Sequence, residues 1–215
     1  MLIDMHLHEK LFSQDSFITV EQIVKVAKMK KLDAVCITDH DNMGLSFKVD
    51  YYVKKLNFPI FMGIEFFSQD GDITAFAPEL EKYYPHKRIS SKDFTELVDK
   101  LGGFSISCHP YRNNNRGLGD KILDLPLLGG VEVLNGSTDE NANLKALQIA
   151  KDTYKKRFGV SDAHVEENIG KYVTYLPHKV NNTLDFIQEL KQEDYKNIYP
   201  MVWNGDCYEK WKYIK

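Results

Sequence analysis

The segment Asp4-Met5-His6-Leu7-His8 sets two imidazoles two residues apart, beside a carboxylate. In an extended chain successive side chains alternate, so Asp4, His6 and His8 share one face while Ile3, Met5 and Leu7 take the other. Two imidazoles on one face can bind a single metal ion. Comparable groups recur as Thr38-Asp39-His40-Asp41, Gly63-Ile64-Glu65, Cys108-His109-Pro110 and Ser161-Asp162-Ala163-His164. Glu65 follows the apolar run FPIFMGI, where a carboxylate is costly unless it is paired or bound to metal. Glu132 and Asn135 stand in a similar run, GVEVLN. Mixed imidazole and carboxylate donors suit Zn, Mn or Fe, and this many donors imply more than one ion.

Short apolar runs that alternate with helical patterns must position these groups. Residues 2–8, 32–38, 60–67, 72–77, 104–109, 130–135 and 158–162 read as strands, and 172–176 as an eighth strand or an edge. Thr19 and Gln22 have capping-box spacing ahead of a helix carrying Val20, Ile23, Val24 and Ala27 on one face. Further helices are expected over 45–56, from Ser90 or Ser91 to Leu101, over 140–155, and from Asn182 to Lys191. Continuous apolar strands alternating with helices predict a parallel sheet covered by helices. In 215 residues, seven or so such units favour a compact, closed α/β barrel of the TIM type, (β/α)7. Such barrels carry their chemistry at the C-terminal ends of the strands. Five of the seven histidines fall at expected strand ends: His6, His8, His40, His109 and His164. His86 and His178 stand beside Pro85 and Pro177 and read as surface residues.

Composition narrows the class. Apolar residues make up 43% and charged residues 27%, the profile of one soluble globular domain over 1–215. The aromatic tail 199–215, with Trp203, Tyr208, Trp211 and Tyr213, is expected either to pack back on the barrel or to form a subunit contact; oligomeric state is not readable. A formal net charge of −3 argues against steering toward long nucleic acid. No apolar run approaches the ~20 residues of a membrane span, and the first residues form no signal-peptide core. Three cysteines without C-x-x-C spacing read as reduced thiols, which places the chain in the cytoplasm.

H-x-H at 6–8, T-D-H at 38–40, G-x-E at 63–65, H-P at 109–110 and S-D-A-H at 161–164 occur in the order of the PHP (polymerase and histidinol phosphatase) family, and the chain resembles its smaller single-domain members. The resemblance implies a distorted barrel holding two to three divalent ions, a trinuclear site of Mn, Zn or Fe. By that resemblance His6, His8, Glu65 and Asp162 hold one ion, and Glu65 bridges to a second held with His109. His40, His164 and an acidic residue of the loop after His8, best matched by Asp15, hold the third. The chain departs at Asp72, where many members have a histidine. Asp72 reads either as an oxygen ligand of the second ion, favouring Mn over Zn, or as a turn residue beside Gly71.

The reaction that the resemblance implies is hydrolysis of a phosphate ester by metal-activated water. The substrate would be a small phosphorylated metabolite, a nucleotide or a short oligonucleotide. Three divalent ions against Asp15, Glu65, Asp72 and Asp162 leave a surplus of about +2, suited to a phosphate monoester dianion. Arg112, beside His109, is a candidate phosphate contact, and Arg116 reads as a solvated loop charge. Asp39 is a candidate for orienting a ligand or shuttling a proton, or else a capping carboxylate. No G-x-S-x-G nucleophile motif is present. The alternatives are an amidohydrolase-type hydrolase acting on C–N bonds and a metal-binding module without turnover.

Overall fold

The computed structural model describes residues 1–192 and 197–214; residues 193–196 and Lys215, the last residue of the expected tail, lie outside it. Six α-helices are described: α1 (Val20–Met29), α2 (Val49–Leu56), α3 (Leu80–Tyr83), α4 (Ser91–Lys100), α5 (Glu140–Asp152) and α6 (Thr183–Lys191). The α1 start is a capping box: Thr19 accepts from the Gln22 N–H, and the Gln22 side chain accepts from the Thr19 N–H.

The strands form two sheets, not the closed (β/α)7 barrel that strand–helix alternation suggests. The first contains β1 (Leu2–Asp4), β2 (Ala34–Ile37), β3 (Ile60–Met62), β9 (Tyr172–Tyr175), β10 (Tyr199–Trp203) and β11 (Tyr208–Lys210), in the order β11-β10-β9-β1-β2-β3. The second runs in sequence order through β4 (Ile64–Phe67), β5 (Asp72–Phe76), β6 (Phe104–Ser107), β7 (Gly130–Asn135) and β8 (Lys156–Val160). Two local features break the regular pattern. The apolar run 60–67 divides at Gly63 into β3 and β4. The turn after β4 then sends β5 back antiparallel to both β4 and β6. At the other edge β9, β10 and β11 add antiparallel strands to β1, so the aromatic tail extends a sheet.

The two sheets face one core and touch at two seams. Between them pack Ile3, Met5, Phe61, Phe76, Phe104, Phe158 and Phe186. Phe186 of α6 stacks on Phe61 of the first sheet and meets Phe76 of the second edge-on. Single parallel bridges, His40 to Glu65 and Leu7 to Ala163, join the sheets. Both seams lie where the strand-end motifs emerge, so histidines and carboxylates from both sheets meet at one rim.

Asp4 holds one seam. Alternation places it with His6 and His8, yet its carboxylate accepts the Ser161 N–H at 3.0 Å and the Gly170 N–H at 2.9 Å, tying β1 to the segments after β8 and before β9. Burial pushes its pKa up to about 6. Asp4→Ala would leave two buried N–H groups unpaired. The expected cost is on the order of 2–4 kcal/mol, read as a lower urea midpoint for metal-free protein; an unchanged midpoint would contradict this role.

Candidate metal centre

Each strand-end segment delivers its side chain to the rim by a backbone bond to a neighbour. The Asp162 N–H donates to the His6 carbonyl at 3.0 Å, and the His8 N–H to the Ala163 carbonyl at 3.2 Å. His109 and Asp162 adopt φ of 28° and 52°, left-handed conformations that side chains rarely take and that surrounding contacts must enforce. The His109 N–H is pinned by Glu132 Oε2 at 3.0 Å. Asp72 reaches the rim from the start of β5, because that strand runs in the opposite direction.

Glu65 is the centre of the cluster. Its Oε2 lies 3.2 Å from His6 Nε2, 3.3 Å from His8 Nε2 and 2.8 Å from His40 Nδ1. Despite these approaches, this buried oxygen receives no hydrogen bond of proper geometry. Its Oε1 lies 2.9 Å from His109 Nε2. Around the same point His6 Nε2 and His8 Nε2 are 3.0 Å apart, and Asp162 Oδ1 is 3.6 Å from the first and 3.4 Å from the second. A separate triangle joins Asp15 Oδ2, His40 Nε2 and His164 Nε2, with edges of 3.2, 3.4 and 3.5 Å. Asp72 Oδ2 lies 3.7 Å from His109 Nε2, and these two with Glu65 form a further group able to hold an ion. All nine of the metal candidates from the sequence therefore meet at one rim.

The far sides of these groups are fixed by Glu132 and Asn135, by Ser13, to which the sequence gives no role, and by Asp39. Glu132 Oε1 accepts a hydrogen bond from His6 Nδ1 at 2.6 Å, so His6 turns Nε2 toward the cluster. Its only sequence signal is a carboxylate inside an apolar strand, the signal that singles out Glu65. Asn135 donates to Glu132 at 2.8 Å and to Asp162 Oδ2 at 3.3 Å. Ser13 Oγ accepts a hydrogen bond from His8 Nδ1 at 3.3 Å and donates one to Asp39 Oδ1 at 2.9 Å. Asp39 thus sits behind the donors, buried, and also accepts the Glu9 N–H at 2.8 Å. His86 and His178 are exposed and take no part.

Neither arginine is free. Arg112 pairs with Asp162 Oδ2 and donates to Asn135 Oδ1 at 2.7 Å and Thr138 Oγ1 at 3.0 Å. Arg116, expected as a solvated loop charge, forks onto buried Asp72 with Nε–Oδ2 at 2.7 Å and Nη2–Oδ1 at 2.9 Å. With Asp15, His40, Asn114 and other rim residues they line an open mouth of about 110 Å³.

Proton affinities follow from the crowding. Burial works against protonated His6, but Glu132, Glu65 and Asp162 outweigh it and hold its pKa well up. His40 goes up to about 9, with burial again opposing and Glu65 and Asp15 prevailing. Burial pulls His8 down to about 3, leaving it neutral. Burial would raise Glu65, but the imidazoles around it hold it well below the carboxylate range.

A histidine whose pKa rises on folding stabilises the fold below its ordinary 6.5, and that contribution is lost as pH climbs through the folded-state value. For His40 this window runs from 6.5 to about 9. Chelator-stripped protein is therefore expected to melt at lower temperature at pH 8 than at pH 6.5, and divalent metal to abolish the decline. A metal-free melting point that rises over this interval would contradict it.

An uncharacterized protein of Methanocaldococcus jannaschii is 30% identical over 169 residues, covering 74% of this chain and 96% of that one. A two-domain protein of Bacteroides vulgatus, described as containing a predicted PHP-like metal-dependent phosphoesterase, superposes with a TM-score of 0.69 at 20% identity, over 93% of this chain and 64% of that one. A lesion-specific endonuclease of Pyrococcus furiosus superposes with a TM-score of 0.59 at 13% identity, over 89% and 56%. Residues 4–193 match the PHP domain, and the chain belongs to that family.

Proposed function

We propose that this chain is a metal-dependent phosphoesterase whose centre is organised by Glu65. The observation that carries the reading is a buried carboxylate oxygen with three imidazole nitrogens within 3.3 Å and no proper hydrogen bond. Donors held ~2.1 Å from a tetrahedral ion lie ~3.4 Å apart. The five distances that join His6 and His8 to each other, to Glu65 and to Asp162 run from 3.0 to 3.6 Å, and those among Asp15, His40 and His164 from 3.2 to 3.5 Å. Both sets fit Mn, Zn or Fe. The group of Glu65, His109 and Asp72 is the third, and its Asp72 carboxylate is already paired with Arg116.

Bound at these positions, divalent ions would polarise a phosphoryl group and lower the pKa of water for its hydrolysis. The protein's own groups do the rest. Glu132 and Ser13 fix the rings of His6 and His8, and Asp39 holds Ser13. Protons that crowd His6 and His40 leave as cations arrive, so metal affinity should rise with pH. Arg112 orients Asp162 and stands at the mouth, where a guanidinium can meet phosphate oxygens. The mouth suits a phosphorylated metabolite, a nucleotide or an oligonucleotide end. No lysine lines it among the described residues, so the C–N hydrolase reading lacks a bridging carboxylated lysine.

Manganese-loaded protein should hydrolyse p-nitrophenyl phosphate, and chelator should abolish the activity. Glu65→Gln should lose metal and turnover together, while Glu132→Gln should weaken metal binding by about 10–100-fold. Full turnover by Glu65→Gln, or by chelated protein, would rule the reading out.

A further inference from the structure

Where a histidine would bring a neutral donor, this chain has a carboxylate already occupied by a guanidinium. Both Asp72 oxygens are engaged, at 2.7 and 2.9 Å, in a two-pronged pair that is among the stronger polar contacts a protein makes. Arg116 is not a loose surface group. Its carbonyl accepts the Asp72 N–H at 2.6 Å, so the loop after His109 is laced to the start of β5. Its guanidinium carbon lies 4.5 Å from the centre of the Phe67 ring, which Arg88 approaches at 3.7 Å. Gly71 permits this lacing: at φ 152° it has no Cβ, and one built there would meet the Leu118 nitrogen at 2.7 Å and the Arg116 carbonyl at 2.9 Å.

The charges balance as well. An aspartate in place of histidine adds one negative charge to the mouth, and Arg116 restores it. The pair is as neutral as the imidazole it replaces, so a dianionic substrate meets a similar field. What changes is the donor count. One set offers four donors and another three, whereas the group of Glu65 Oε1, His109 Nε2 and Asp72 Oδ2 must share its last oxygen with Arg116.

We propose that Arg116 competes with the ion at Glu65, Asp72 and His109 for the Asp72 carboxylate, so that this chain retains two ions and takes the third only weakly. The proposal rests on the metal-centre reading above. Arginine serves here because its charge is permanent and its fork matches both carboxylate oxygens; lysine would offer a point charge without the fork.

The test counts metal, not activity. Chelator-stripped protein is reloaded with Mn²⁺, desalted and analysed for metal, and the weakest site is titrated by calorimetry. Native sequence should keep two ions after desalting, with a third detectable only in titration. Arg116→Gln should keep three, with the third site tightened by about tenfold or more, a shift of ~1.4 kcal/mol. Arg116→Lys, which preserves charge should Arg116→Gln fold poorly, should tighten it by a smaller factor. Three retained ions in the native sequence, or a third site unmoved or weakened in both variants, would overturn the proposal while leaving the metal centre standing. No retained ion in any variant would overturn both.

Discussion

A carboxylate buried at the end of an apolar strand is expensive, and Glu65 is fully buried. The structure answers that cost by bringing four imidazoles, those of His6, His8, His40 and His109, to its two oxygens. Each comes from a different turn of the chain or a different strand position, so the residue can be accommodated only when both sheets have met. The break at Gly63 belongs to the same constraint. A Cβ there would lie 2.5 Å from the Phe76 ring and 2.8 Å from the Ala75 carbonyl, so only glycine lets the chain pass from the first sheet to the second so closely. Two residues later Glu65 enters the rim.

From this follows a division of labour. The apolar core between the sheets, with Phe61 and Phe76 both packed against Phe186, sets the distance between the two rims. Asp4, Glu132 and Ser13 spend their hydrogen bonds on backbone N–H groups and on the far nitrogens of the rings, and Asn135 donates to the Glu132 and Asp162 carboxylates. The donors are therefore aimed before any ligand arrives, which is how a metal site gains affinity without ordering itself on binding. Asn114, Arg112 and Arg116 stand at the mouth of the cluster.

Much of this is legible in the sequence because period-two alternation and strand-end position are local properties. The five strand-end histidines, Glu65 and Asp162 can be picked out by those rules alone, and the structure brings them together. Asp4 shows where alternation stops being informative: it shares a face with His6 but serves two backbone amides across the seam. The closed barrel fails for a similar reason. Strand direction after residue 67 depends on a turn in which Ser68 Oγ accepts the Asp70 and Gly71 N–H groups, both at 3.1 Å, and a hydrophobic run does not reveal that reversal. Contacts across long stretches of chain, such as Arg116 with Asp72, leave no local mark. Ser13 lies in a loop with no periodic signal.

The claim that everything else leans on is that Glu65 bridges ions at the meeting of the two sheets. Anomalous diffraction from a crystal of manganese-loaded protein, collected at the manganese edge, tests it without reference to turnover. In crystals kept in excess manganese, a strong anomalous peak is expected ~2.0–2.2 Å from Glu65 Oε2, also contacted by His6 and His8, and a weaker, partly occupied one ~2.0–2.2 Å from Oε1 beside His109. Peaks confined to sites that Glu65 does not touch, or a carboxylate still hydrogen-bonded to imidazoles with no ion beside it, would contradict it.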